Sequence, residues 1–391
     1  MKISINISAF KRFCSTQFSL RERTKQLTDS RSKPQIPTWQ IYEGTLLGGM
    51  LRKKSFLQTD QLLRLPEITR FLGSERDAVA SDTEIPRVLR LIPQAELRKL
   101  NYLVCGRARQ KGLARLKDPL LSGLRVAIID GSCFGLFSAV VCQFLSDPIM
   151  FLDYELIARK GKELPGAKKL IQRITKQLGK RWVDLILYDG LYVAQGNINQ
   201  CLREGIDVLI KTDEVGLNII KDAEGIFNHW TEFKESVEHI KGVDEERLVS
   251  YEVWAAKEFR LDGVKKTFKV ARVKEIHLKT QAETIFWVLT TEENLSAEQM
   301  RGLAHRRWSI ENNGFRQLND QVQSKHIWTH DKYVWMRLIW IQLMAANLMG
   351  LFTQWLEQKG APIARSTRDH LSMLLFISLI REMTRTDPNF N

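Results

Sequence analysis

Residues 124–132 read LRVAIIDGS, and this stretch decides the class of fold. Val126, Ala127, Ile128 and Ile129 form an apolar run without polar alternation, the pattern of a strand covered on both faces. Covering both faces takes helices, so the run predicts an α/β architecture built on a buried sheet. It closes on Asp130, a carboxylate at the tip of an apolar element.

The flanking sequence extends that sheet. FGLFSAVVCQF (134–144) and IMFLDYELIA (149–158) are strand-like runs joined by short turns, which predicts an antiparallel meander. PGAKKLIQRITKQLG (165–179) follows, with Pro in the first helical turn and Gly at the end, the usual helix punctuation. WVDLILYDG (182–190) is a second buried strand and carries Asp189; VAQGNINQCLREG (193–205) reads as a helix and DVLIKT (207–212) as a strand. A β-helix-β crossover makes parallel neighbours, so the Asp189 strand belongs in the same mixed sheet as the meander. LVSYEVWAAKEFRL, KTFKVARVKEI and TIFWVLTT supply further strands within residues 213–294, read as a β-rich insertion. SAEQ (296–299) is a capping box that opens a helix expected to carry Glu311.

The expected organisation is a helical region over residues 1–120, a first part of the sheet core over 121–212, the insertion over 213–294, and a second part of the core with C-terminal helices over 295–391. Residues 19–37, SLRERTKQLTDSRSKPQIP, read as a solvated linker. VWMRLIWIQLMAANLMGLF (334–352) is nearly long enough to span a bilayer. Arg337, Gln342 and Asn347 are spread around it, and a helix apolar on most sides also fits a protein core, so it is expected inside the fold and no membrane is expected as partner.

Charge points to a polyanion. The 391 residues hold 59 Lys and Arg against 45 Asp and Glu, a formal net charge of +14. Each phosphate neutralised by such side chains releases condensed counterions, which favours nucleic acid. Arg107, Arg109 and Lys111, interleaved with apolar residues, suggest a helix that holds phosphate backbone without reading bases. Five widely spaced cysteines without a Cys-x-x-Cys pair specify neither a disulfide framework nor a zinc site, and a reducing cytoplasm is expected.

Asp130, Asp189 and Glu311 are then the candidate chemistry. Carboxylates are hard oxygen ligands that suit Mg²⁺ or Mn²⁺. Gathered on one side of a sheet they could hold two such ions, one activating an attacking water or hydroxyl and one stabilising the leaving oxygen, the requirement of phosphodiester cleavage.

In this order, with Asp130 on the first strand, Asp189 on the fourth and Glu311 on a helix after a β-rich insertion, the chain resembles the RNase H-like core of DDE transposases from bacterial insertion sequences. The branch it is most similar to is insertion-sequence family four, whose glutamate helix has a signature of Tyr, two residues, Arg, three residues, Glu, six residues, Lys. Arg307 and Glu311 match it; the Tyr slot holds Ala304 and the Lys slot Leu318, followed by Asn319. The resemblance spans roughly residues 86–352. It implies an RNase H-like mixed sheet flanked by helices, catalysis and metal binding by Asp130, Asp189 and Glu311 with two Mg²⁺ or Mn²⁺ ions, and DNA contacts by Arg307, Arg316 and Asn319. Its implied partners are double-stranded DNA, as terminal inverted repeats and target, and a second copy of the chain on paired ends, in the bacterial cytoplasm with the nucleoid. Its implied activity is cleavage and strand transfer in transposition. A transposase-derived DNA-binding protein without catalysis and a nuclease without strand transfer are the alternatives. In DGLY (189–192), Tyr192 resembles the aromatic that follows the family's second aspartate, to pack under the site or touch DNA. Trp254 and Trp287 are open either to stacking on an unpaired base or to packing a strand.

Overall fold

The computed structural model describes residues 6–73, 79–159, 161–308, 314–361, 371, 373–375, 377 and 378. Its centre is a nine-stranded mixed sheet of order β3-β2-β1-β4-β5-β9-β8-β7-β6. β1 (Val126–Phe134), β2 (Phe137–Phe144) and β3 (Met150–Ile157) form the expected antiparallel meander. β4 (Leu185–Asp189) lies parallel to β1, and β5 (Asp207–Thr212) parallel to β4. β6 (Val237–Asp244), β7 (Val249–Phe259), β8 (Phe268–His277) and β9 (Glu283–Thr290) are antiparallel to one another, and β9 joins them to β5. The β-rich segment therefore prolongs the central sheet.

One strand departs from expectation. β1 does not stop at Asp130 but runs four residues further, because β2 pairs with it from Asp130↔Val141 to Phe134↔Phe137. The hairpin closes through Gly135 in a left-handed conformation (φ +53°), where a Cβ would strike the Trp335 ring.

Among the described residues, α1 (Ile7–Phe18), α2 (Leu20–Thr24), α3 (Thr38–Met50), α4 (Phe56–Leu63), α5 (Pro66–Leu72), α6 (Glu84–Leu91) and α7 (Gln94–Gln110) precede the sheet. α8 (Glu163–Leu178) and α9 (Gln195–Arg203) bridge the parallel strands, and α10 (Asn218–Asn228) leads into β6. α11 (Ala297–Arg307), α12 (Arg316–Val322) and α13 (Lys332–Gln358) follow the sheet. Alternation divides the strands between two cores. Ala127, Ile129, Ile186 and Tyr188 face the larger one, with α8 to α10, the N-terminal helices and α13. Val126, Ile128, Leu185, Leu187 and Leu209 face the smaller one, covered by Ala297, Met300, Leu303 and Ala304 of α11.

α13 has the length and composition of a membrane-crossing helix, yet 89% of its most apolar window is buried in the fold. Two of its polar positions are satisfied there: Asn347 accepts from Phe151 N at 2.7 Å and donates to Asn101 Oδ1 at 3.0 Å, while Arg337 donates to the Ile92 carbonyl. Such bonds remove most of the cost of burying an amide.

Residues 19–37 are a solvated linker only in part: residues 32–35 are exposed, whereas Leu20, Thr24 and Leu27 are buried. Arg31 is caged by Asp29, Glu84 and the Ile36 carbonyl, and Thr38 Oγ1 donates to the same Asp29 at 2.5 Å. Part of the polar composition that suggested solvent exposure is thus engaged, locally by Asp29 and across the chain by Glu84.

Candidate active site

β1 and β4 pair in register Val126↔Leu185, Ala127↔Ile186, Ile128↔Leu187. Continuing that register by two residues sets Asp130 beside Asp189, on the face shared by Ile128 and Leu187, which is the face α11 covers. β4 pairs β5 with Asp189↔Lys211. The β1–β4 pairing itself ends at Ile128↔Leu187, while Asp189 pairs directly with Lys211, so Asp130, Asp189 and Lys211 share one face in a row across three neighbouring strands.

Local backbone orients both carboxylates. Asp130 is 8% exposed, and its Oδ1 accepts from Gly131 N at 2.7 Å. Asp189 Oδ1 accepts from Leu191 N at 3.0 Å and so caps the short 3₁₀ turn Gly190–Tyr192. Beneath them Tyr192 is buried and stacked on Tyr188, ring centroids 4.5 Å apart, so it packs under the row. Burial, then the charges of Asp130, Asp189 and Glu163, push its phenol far above the ordinary tyrosine value.

α11 brings in a cation from above. Its N-terminus has the predicted capping box: Ser296 Oγ accepts from Gln299 N at 3.1 Å and Gln299 Oε1 accepts from Ser296 N at 3.0 Å. Glu238 of β6 accepts from Ala297 N at 2.8 Å, adding a negative charge at the positive end of the helix dipole. Farther along, Arg301 meets Glu275 at 2.6 Å and Asp244 at 3.0 Å, and His305 shares Glu275 at 2.8 Å. Burial works against ionisation of Glu275, but the hydrogen bond from His305 together with Arg301 outweighs it and holds the carboxyl below its ordinary value. So latched to β6 and β8, α11 ends with Arg307 Nη1 3.6 Å from Asp130 Oδ2.

Glu311 lies outside the described residues, and so does the expectation that it shares a helix with Ser296. The described residues on either side face the same part of the sheet: Arg307 meets β1, and buried Gly314 meets Gln143 of β2, which pairs with Ile128. A Cβ at Gly314 would overlap the Gln143 amide, so a glycine is what permits this approach. Among the described residues no group of three or more His, Cys, Asp or Glu could hold a metal ion. Two carboxylates side by side nevertheless offer the hard oxygen donors that Mg²⁺ or Mn²⁺ prefers, and the residues present fit such a group.

The remaining predicted contacts are scattered. Ala304 and Leu318, where the signature has Tyr and Lys, are both buried in apolar cores, which leaves no room for a polar side chain reaching DNA. On α12, Arg316 is exposed beside Asp320 at 3.5 Å, and Asn319 is half-buried. Arg107 Nη1 donates to the Phe18 carbonyl at 2.6 Å, Arg109 Nη1 to that of Trp182 at 2.8 Å, and Lys111 Nζ to that of Thr16 at 3.1 Å. Trp182 precedes β4 and Asp189 ends it, so Arg109 sits at the opposite end of that strand from the row. Trp254 and Trp287 are buried on the face opposite Asp189, stacked with His239 and Phe227 respectively, and pack the strands.

Sequence reading missed Lys211 and Glu163. Alternation in DVLIKT, placing Leu209 and Lys211 on one face, was the available signal for the first. Glu163 is buried at the start of α8, against Gly131, and no motif marks it.

No curated protein sequence matches the chain. A family model described as Transposase DDE domain does, over residues 123–348. That match covers more than half of the sequence and runs from the start of the sheet into α13, taking in both aspartates and the helix that faces them; the chain belongs to the DDE transposases of insertion-sequence type.

Proposed function

We propose that the protein binds the terminal inverted repeats of an insertion sequence and cuts and joins DNA at the Asp130–Asp189 edge, with Glu311 completing a site for two Mg²⁺ or Mn²⁺ ions. The observation that carries this reading is the β1–β4 register, which sets two carboxylates in one row with Arg307 3.6 Å from the first.

Bound there, the divalent ions supply a nucleophile at neutral pH and offset charge on the phosphodiester. Asp130 and Asp189, each steadied by a backbone N–H, keep their donor oxygens in place without reorganisation. Arg307 orients a phosphate over the row through its planar fork of donors. In the first step a water oxygen bonds to phosphorus while the P–O3′ bond breaks and the released 3′-oxygen takes a proton. In the second, that 3′-hydroxyl attacks a target phosphodiester and displaces its 3′-oxygen, so strands are exchanged without net hydrolysis. Arg316 and Asn319 contact flanking phosphates. Residues 1–120, with Arg107, Arg109 and Lys111 at the far end of β4, hold DNA away from the chemistry, since an arginine that gives one N–H to a carbonyl retains others. Residues 213–294 act as the insertion that carries and anchors α11. Two copies of the chain act on paired ends, in the bacterial cytoplasm with the nucleoid.

The test uses purified full-length protein and a plasmid carrying the gene with its native flanking DNA. Mg²⁺-dependent nicking and joined products are expected, and Asp130→Asn, Asp189→Asn and Glu311→Gln should each lower nicking about a thousandfold or more while sparing binding. Wild-type-like nicking by any of the three would sink the assignment. Binding without nicking selects a DNA-binding protein that has lost catalysis, a reading favoured by the buried Ala304 and Leu318. Nicking without joined strands selects a nuclease.

A further inference from the structure

Lys211 stands level with Asp189 on the neighbouring strand, in the same row as Asp130 and on the face covered by α11. Its ammonium is held between two aromatic rings, 4.1 Å from the Phe286 centroid and 4.7 Å from that of Trp308, the residue after Arg307. Ring faces attract a cation without consuming its N–H donors. Among the described residues the Lys211 ammonium makes no hydrogen bond or ion pair, and nearby Glu275 is engaged by Arg301 and His305. A half-buried ammonium with three donors unspent is an unfavourable arrangement unless an anion completes it. Burial first, and then the charge of Arg307, hold its pKa below the ordinary lysine value against the pull of Asp213.

The anion that fits is a phosphate oxygen. Arg307 and Lys211 flank the carboxylate row, one reaching it from the helix and the other from the third strand. The signature positions that lack a polar side chain, Ala304 and Leu318, are interior and supply no cation to the row. We infer that Lys211 is a phosphate-binding residue of this site, gripping a non-bridging oxygen of the phosphodiester at or next to the cut. This rests on the function proposed above.

The experiment compares wild type, Lys211→Met and Lys211→Arg as full chains on labelled duplexes cut from the DNA flanking the gene. Affinity is measured from low to moderate NaCl, and nicking of the gene-bearing plasmid at saturating protein. Lys211→Met should flatten the dependence of log affinity on log salt by about 0.9, one phosphate contact. It should also slow nicking about tenfold or more, and Lys211→Arg should restore most of both. Lys211→Gln gives the same readings if the Met variant fails to fold, as judged by its thermal midpoint. An unchanged slope and rate in a folded Lys211→Met or Lys211→Gln protein, with Asp130→Asn inactive, overturns this inference alone. Failure of the wild type to bind its flanks, or full nicking by Asp130→Asn, overturns the underlying function as well.

Discussion

Helices α7 and α11 carry comparable sequence signals, several cations interleaved with apolar residues, and the fold uses them differently. At the end of α7, Arg107, Arg109 and, just beyond it, Lys111 each reach a main-chain carbonyl, tying the N-terminal helices and the segment before β4 together, although Arg98 earlier on the helix lies 3.6 Å from Asp153. On α11 the cations meet carboxylates: Arg301 joins a buried network with Glu275 and Asp244, Arg306 meets Asp118, and Arg307 meets Asp130 at the edge of the sheet. Cation density along a helix is therefore a poor guide to role. What separates the two is which end of the parallel strands each reaches: α7 the start of β4, α11 the carboxyl ends of β4 and β5, where the proposed chemistry lies.

The sharpest way to break this contrast is to remove one arginine from each helix. Arg307→Ala should lower nicking about a hundredfold at saturating DNA, the loss typical of one preorganised electrostatic contact, whereas Arg109→Ala should alter DNA binding or folding and leave that rate near wild type. Equal rate losses would erase the distinction. Next in size is the latch. Arg301→Met leaves Glu275 with His305 alone and Asp244 with Arg247, and should cost about 2 kcal/mol in denaturant unfolding; a loss under about 1 kcal/mol would show that α11 is held by apolar packing instead.

Gly314→Ala probes the same edge from the other side. Fitting a Cβ against Gln143 should cost about 1–3 kcal/mol, with nicking falling more than DNA affinity because the displaced chain adjoins Glu311. Equal falls in both would place the damage in global folding. The smallest effect is pH-dependent. Burial lowers the pKa of His305 despite the pull of Glu275. The folded imidazole then takes up its proton less readily than the unfolded one. Its stabilising contribution is complete above the unfolded value near about 6.5 and is lost as pH falls through that value towards the folded one. Glu275, with its lowered pKa, adds a loss of the same sign at more acidic pH. The thermal midpoint should drop between pH 7.5 and 5.5, and His305→Gln should flatten that drop; a midpoint that rises on acidification would contradict it.

Period and punctuation in the sequence were enough for the meander, the crossover strands and the start of α11. An unbroken apolar run needs cover on both faces whatever its neighbours are, and a capping box closes its bonds within four residues. Asp130 and Asp189 stood out as carboxylates on such runs, and the resemblance on Arg307 and Glu311 ordered them. The level at which two strands pair depends on packing along their whole length, so only the tertiary structure set Asp130 beside Asp189 and brought Lys211 into their row. Only it decided that Arg107, Arg109 and Lys111 join distant backbone, that Trp254 and Trp287 are core, and that Arg31 is caged by Asp29 and Glu84. A long side chain reaches several partners from one backbone position, and the choice among them is made by elements far away in the chain.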